Sequence, residues 1–271
     1  MIDFDFFYAV GPPPPYMEYC QVMIEENVKI VETAGSSPQR FVNVLKKAGI
    51  ITIHKCVTIR HALSAERYGV DIISLDGFEC AGHPGEKDVG NFVLQARGAQ
   101  VLTKPYLCSG GIATGTQLAA SLALGADGIN LGTRICATQE CCWPSNFKNA
   151  MLKSDENDTV LILRRLQNTS RVYKNDVAKQ VAEIEDEKGD EFQITDVMHL
   201  VNGKRGRQAE AKNDANDGIW TASQAMGLIH TLPTCKQVID DMIKEAEECI
   251  TTRLNSLIVP SNGARTISSR L

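Results

Sequence analysis

The chain has 271 residues, 43% of them hydrophobic and 23% charged, which is enough apolar material to fold around its own core without disulfides or metals. Its net charge of −5 excludes a broad basic face for nucleic acid. No run approaches the roughly 18 apolar residues of a membrane span, and no charged segment followed by an apolar stretch and a small-residue cleavage site opens the chain, so a soluble, cytoplasmic protein is expected.

In chain order, residues 4–10 suit a strand, Gly11-Pro12-Pro13-Pro14-Pro15 an extended connector, and 16–26 a helix. A rhythm then repeats. Residues 28–31 run into Glu32-Thr33-Ala34-Gly35, with a helix over 38–48. Residues 50–54 run into Lys55-Cys56, with a helix over 59–68. Residues 70–75 run into Asp76-Gly77, 105–108 into Ser109-Gly110-Gly111, and 126–131 into Gly132-Thr133, with a helix over 115–124. The strands are short and apolar on both faces, as buried parallel strands are, and helices separate them as parallel crossovers require. A doubly wound sheet and a (β/α)₈ barrel both fit, and both put ligand-binding groups at the C-terminal ends of strands.

Beyond residue 144 the pattern changes. The barrel part is expected over 1–144, a polar helical subdomain over 145–217, a return to the barrel over 218–258 that begins with a helix over 219–230, and a flexible tail over 259–271. Within these, Lys204-Arg205-Gly206-Arg207 reads as a solvated loop, with anion binding as the alternative. The run from Glu185 to Glu191 reads as a solvated turn, and Pro233 suits the first turn of a last amphipathic helix reaching about residue 258. Nine cysteines are scattered without zinc-site spacing and read as reduced thiols, so no metal is expected.

Two glycine turns carry the chemistry. Ser109-Gly110-Gly111-Ile112-Ala113-Thr114-Gly115 follows a strand and opens a helix, and Gly132-Thr133-Arg134 repeats the arrangement one βα unit later. Glycine lets backbone N–H groups approach an anion, a helix N-terminus adds donors, and turns on consecutive strands form the phosphate site of a barrel. A side chain at Gly111 is expected to fill the phosphate's place. The loop Asp76-Gly77-Phe78-Glu79-Cys80-Ala81-Gly82-His83-Pro84-Gly85-Glu86 follows another strand, and His83 can exchange protons or hydrogen-bond a bound group there. Lys55 ends the preceding strand, as a cation for that site or a partner of Glu32 or Asp76. His54 should point the opposite way and reads as structural, and His61, His199 and His230 are assigned no chemistry.

These segments resemble the nitronate monooxygenase (2-nitropropane dioxygenase) family. The His83 loop is similar to its signature; Ser109-Gly110-Gly111 and Gly128-Ile129-Asn130-Leu131-Gly132-Thr133-Arg134 resemble its FMN phosphate turns; Asn168-Thr169-Ser170-Arg171-Val172 and Gly203-Lys204-Arg205-Gly206-Arg207 resemble its helical lid, and Asp217-Gly218-Ile219-Trp220 the return to the barrel. The resemblance implies a TIM (β/α)₈-type barrel with an inserted helical lid, and FMN as cofactor. It implies His83 as the active-site residue, with Lys55, Ala81, Gly82, Ser109, Gly110, Gly111, Gly132 and Thr133 contacting the flavin. The implied reaction is oxidation of alkyl nitronates with O2. The Ala81-Gly82-His83-Pro84 form is similar to members that act as NADH:quinone reductases. Against the family pattern the first βα units are expected to be missing, which leaves an inactive FMN-binding remnant as a further alternative.

Overall fold

A computed structural model of the chain describes the backbone of residues 2–5 and all of residues 15–258. Six strands form one parallel sheet: β1 (Ile2–Asp5), β2 (Ile30–Ala34), β3 (Ile51–Cys56), β4 (Ile72–Asp76), β5 (Tyr106–Ser109) and β6 (Gly128–Asn130). Helices α1 (Tyr16–Glu25), α2 (Gln39–Lys47), α3 (Ile59–Tyr68), α4 (Asn91–Val101) and α5 (Gly115–Ala123) connect them, and β6 leads into the single turn α6 (Thr133–Cys136). The expected strand over 4–10 shares only Phe4 and Asp5 with β1; its remainder, most of the proline connector and the tail over 259–271 lie outside the described residues.

The strands lie in the order β1-β2-β3-β4-β5-β6. A doubly wound sheet reverses strand order at a switch point, so this sequence of neighbours is that of a barrel wall. The sheet is also strongly curled. Asn130 Nδ2 on β6 donates to Glu32 Oε1 on β2 at 2.8 Å and lies 3.2 Å from Ser74 Oγ on β4. At about 4.8 Å per strand, a flat sheet would hold β2 and β6 roughly 19 Å apart.

Local sequence sets the helix ends. Thr58 caps α3 by accepting from the His61 amide, and Gly69 ends it in the left-handed conformation at φ +91°. Thr114 and Gln117 form a reciprocal capping box on α5. The outward faces of the strands bury Val31, Ile73, Leu75, Cys108 and their neighbours under the helices.

Residues 145–217 hold α7 (Ser145–Lys153), α8 (Asp176–Lys188), α9 (Ile194–Val201) and α10 (Gly203–Lys212). They are not purely helical as expected: β7 (Thr159–Ile162) and β8 (Ser170–Tyr173) pair as an antiparallel hairpin between α7 and α8. The hairpin and α8–α9 share a core of Ile162, Val172, Val181, Phe192 and Leu200. Trp143 and Trp220 meet with ring centroids 5.5 Å apart, so the segment leaves and rejoins the barrel wall at one point. Two polar runs differ from their reading. Glu185 is 5% exposed, because its carboxylate accepts the amides of Leu163 and Arg165, each at 2.7 Å. Lys204-Arg205-Gly206-Arg207 is helical within α10, where Arg205 pairs with Asp217 at 2.9 Å.

The return segment is also less regular than expected. Residues 219–230 contain only a 3₁₀ stretch, Gln224–Leu228. Pro233 precedes the last helix rather than opening it. Thr234 is the N-cap of α11 (Cys235–Glu248), and the chain continues through a π-helical turn and a 3₁₀ turn to Leu257. Among the described residues no helix is long and apolar enough to cross a membrane.

Candidate active site

The strand register puts polar side chains where the sequence shows only interruptions of apolar runs. Asp76 is level with Ser109, and Ser109 with Asn130. Lys55 is level with Ser74, and Glu32 with Ile53, two residues before Lys55. Alternate residues share a face, so Glu32, Lys55, Ser74, Asp76, Ser109 and Asn130 all line the inner, concave side near the C-terminal strand ends. Glu32 is 2% exposed, held by Asn130 and by Lys55, whose Nζ is 3.7 Å away. Lys55 thus has the Glu32 partner that the sequence left open, and it still reaches the cavity.

A cavity of about 1370 Å³ opens at these ends. Every expected site residue lines it: His83, Lys55, Ala81, Gly82, Ser109, Gly110, Gly111, Gly132 and Thr133. Close packing joins two of the loops directly. A Cβ on Gly110 would sit 2.7 Å from Cys80 Cβ, and one on Gly111 2.6 Å from Glu79 Cβ. Both glycines have positive φ, +85° and +74°. The 109–111 turn therefore lies directly on the loop that carries His83. Asn91 locks the pair: its Nδ2 donates to the carbonyls of Ser109 at 2.9 Å and Gly110 at 2.5 Å, while its amide donates to both Glu79 carboxylate oxygens at 3.1 Å.

The anion-binding reading changes in one respect. The N-terminus of α5 is not available to a ligand. Gln117 accepts the amides of Ala113 and Thr114, and Glu245 accepts that of Gly115 at 2.5 Å. The turn after β6 is different. The first bonds of α6 are made by Ile135 and Cys136 to the Gly132 carbonyl, so the Thr133 and Arg134 amides have no partner inside the helix. A Cβ on Gly132, whose φ is −111°, would meet nothing within 4 Å. The side chain of Arg134 turns away to the carbonyls of Ala137 and Thr231, both at 3.0 Å. Nor does a side chain at Gly111 fill the anion's place; it strikes Glu79 instead.

His83 is half-buried on the cavity wall. Burial lowers its pKa below the usual imidazole range, and the Glu86 carboxylate opposes that shift. Its loop is tied to the hairpin: the Gly82 amide donates to the Arg171 carbonyl at 3.0 Å, and the Arg171 amide to the Gly82 carbonyl at 2.5 Å. The Arg171 guanidinium lies 4.6 Å over the Phe78 ring. His54 does turn to the helix side, with Nδ1 2.8 Å from Thr33 Oγ1, and burial pushes its pKa down to about 4. It nevertheless borders the cavity, as does His61 at the start of α3, because the β3–α3 turn forms one side of the opening. Thr221 and Ser223, from the segment after α10, complete the wall, and the Ser223 amide donates to Thr133 Oγ1 at 3.0 Å. Nothing in the sequence marks these two, since they reach the site only through the long return from residues 145–217.

The sequence profile of the nitronate monooxygenase family matches residues 3–245. The chain belongs to this family. It is 29% identical over 225 residues to a nitronate monooxygenase of Paraburkholderia phytofirmans, a match covering 80% of the chain and 61% of that relative. It is 25% identical over 258 residues to the (3aS,4S,5R,7aS)-5-hydroxy-7a-methyl-1-oxo-octahydro-1H-indene-4-carboxyl-CoA dehydrogenase of Rhodococcus jostii, covering 83% of the chain and 72% of that relative. Among solved structures, FabK from Thermotoga maritima superposes with a TM-score of 0.85 at 29% identity, covering 94% of this chain and 78% of that one. A nitroalkane oxidase from Streptomyces ansochromogenes has the same fold, with a TM-score of 0.75 at 24% identity, covering 90% and 71%.

Proposed function

We propose that this chain is an FMN-dependent oxidoreductase that oxidises alkyl nitronates with O2. The observation that carries the reading is the convergence of His83, Lys55 and both glycine turns on one cavity. The cradle suits a phosphate: glycine turns lie side by side, with open space over Gly132 and amides of α6 that lack an intrahelical partner. Gly110, Gly111, Gly132 and Thr133 would hold that phosphate, with Ser109, Ala81 and Gly82 beside the rest of the cofactor. When bound, FMN supplies the electron transfer from substrate to oxygen.

The protein's own part is to bind, orient and handle a proton. His83, its pKa lowered by burial, is neutral near pH 7. A neutral imidazole offers one N–H and one lone pair, so it can hydrogen-bond a nitronate oxygen, or take the α-proton of a neutral nitroalkane and so form the nitronate in the site. Lys55 supplies a cation that balances negative charge gathering on the cofactor. Residues 145–217 act as a lid: their hairpin covers the His83 loop and keeps water from that side.

A second reading, NADH:quinone reductase, draws on the Ala81-Gly82-His83-Pro84 loop and on cavity size. At about 1370 Å³ the cavity exceeds the roughly 300–1,000 Å³ of a site for one ligand, leaving room for a second large substrate. Reconstitution with FMN followed by anaerobic titration tests both readings. Bleaching of the flavin by nitronate, with oxygen uptake in air, is the expected result. Bleaching by NADH alone selects the reductase, a flavin spectrum that neither reagent bleaches selects the inactive FMN-binding remnant, and no flavin spectrum after reconstitution rejects all three.

A further inference from the structure

The loop after β4 and the hairpin β7–β8 are laced together in antiparallel order. Gly82 pairs with Arg171, Glu86 with Thr169, and Asp88 with Arg164. The Thr169 amide and hydroxyl donate to the two oxygens of Glu86, at 2.9 and 2.5 Å. Arg164 forks onto Asp88 at 3.1 and 2.8 Å. His83 lies between the first and second attachments. On the opposite side Gly85, at φ +76°, packs so closely on the β3–α3 turn that a Cβ would lie 2.7 Å from Val57 Cγ2. The His83 loop therefore cannot shift without the hairpin.

We propose that Glu86 is a positioning residue for His83: clamped by Thr169, its carboxylate fixes the histidine loop against the hairpin and keeps a negative charge beside the imidazole. This rests on the reading of His83 as the residue that hydrogen-bonds or deprotonates the substrate. Several neighbouring charges are held by partners of their own. Asp88 is engaged by Arg164, Glu32 and Lys55 face each other, and Arg171 lies over Phe78. Asp76, His54, Arg60, His61 and Lys87 share the cavity wall with His83, and the Glu86 charge opposes the fall that burial causes there.

The test uses the full chain with Glu86→Gln, which keeps the shape and loses the charge, and with Thr169→Val and Thr169→Ser. The His83 ring signal is followed by NMR against pH, with and without FMN, beside flavin occupancy and nitronate turnover. In Glu86→Gln, His83 is expected to titrate at a lower pH than in the wild type while FMN occupancy is unchanged. In Thr169→Val, kcat is expected to fall about tenfold or more with little change in KM, since small misplacements of a reacting group cost that much. Thr169→Ser is expected to restore it. The proposal is overturned if Glu86→Gln titrates like the wild type, or if Thr169→Val turns over like it. Because the titration needs no turnover, a protein that shows the shift but oxidises no nitronate keeps the positioning role and loses the proposed reaction.

Discussion

At the scale of single residues, His83 and two glycines separate chemistry from folding. Replacing His83 by Ala is expected to lower nitronate oxidation by a factor of about 10² to 10⁴ while FMN still binds, as read by stopped-flow bleaching and flavin absorbance. Complete loss of flavin in that variant would make the residue structural. Gly111→Val forces a branched side chain into φ +74° and against Glu79 Cβ, so it is expected to cost about 1–3 kcal/mol or more of stability in urea. Gly132→Ala behaves oppositely. Its Cβ meets no protein atom within 4 Å, so the substitution makes no packing clash and FMN affinity is expected to fall as the methyl enters the open space. Unchanged FMN affinity would move the phosphate away from this turn. Gly110 and Gly111 were legible in the sequence because positive φ and close approach leave few other choices. Glu32 and Asn130 were not, since each is only a polar residue at the end of an apolar run until the register places them face to face.

At the scale of elements, the strands were readable and the hairpin was not. Each β-branched run appears within a few residues of its expected place, because a strand buried on both faces has little room for polar side chains. β7 and β8 are four residues each, and their connection passes through left-handed Leu163 and Gln167, at φ +61° and +53°. Such short strands hold only through tertiary partners, here the bridges to Gly82 and Thr221, and no local pattern announces them. Capping was partly legible. The helix after Gly111 was expected, but its N-terminal donors were assigned to a ligand when Gln117 and Glu245 already take them. Between elements, Asn91 carries the join of α4 to the β5 turn. Asn91→Ala leaves the carbonyls of Ser109 and Gly110 without their donor and is expected to cost about 2–4 kcal/mol in urea denaturation, with weaker FMN binding because the turn is released.

For the whole molecule, acid weakens the fold through its buried histidines. The folded-state pKa of His54, about 4, lies below its ordinary value of 6.5, so the unfolded chain takes the proton first. Stability is therefore fully present above pH 6.5 and declines as pH falls towards 4, by on the order of 3 kcal/mol from this residue. The lowered pKa values of His61 and His83 act in the same direction. Denaturation midpoints at pH 7 and pH 4.5 measure the effect, and His54→Asn is expected to flatten the slope between them. The parallel architecture was legible from the alternation of strands and helices, but that alternation suits an open sheet equally well. Strand order decides, and it is a property of the assembled sheet that no single segment carries.

The contact from Asn130 to Glu32 has a dynamic consequence. A sheet joined only to its neighbours frays from its edges, one strand at a time, and its outer amides exchange with deuterium first. Here the sixth strand grips the second across the interior, and a carboxylate only 2% exposed would lose the amide donor at one of its oxygens if they parted. Protection factors of β2 and β6 should therefore report a single shared opening, and Asn130→Leu should split it in two.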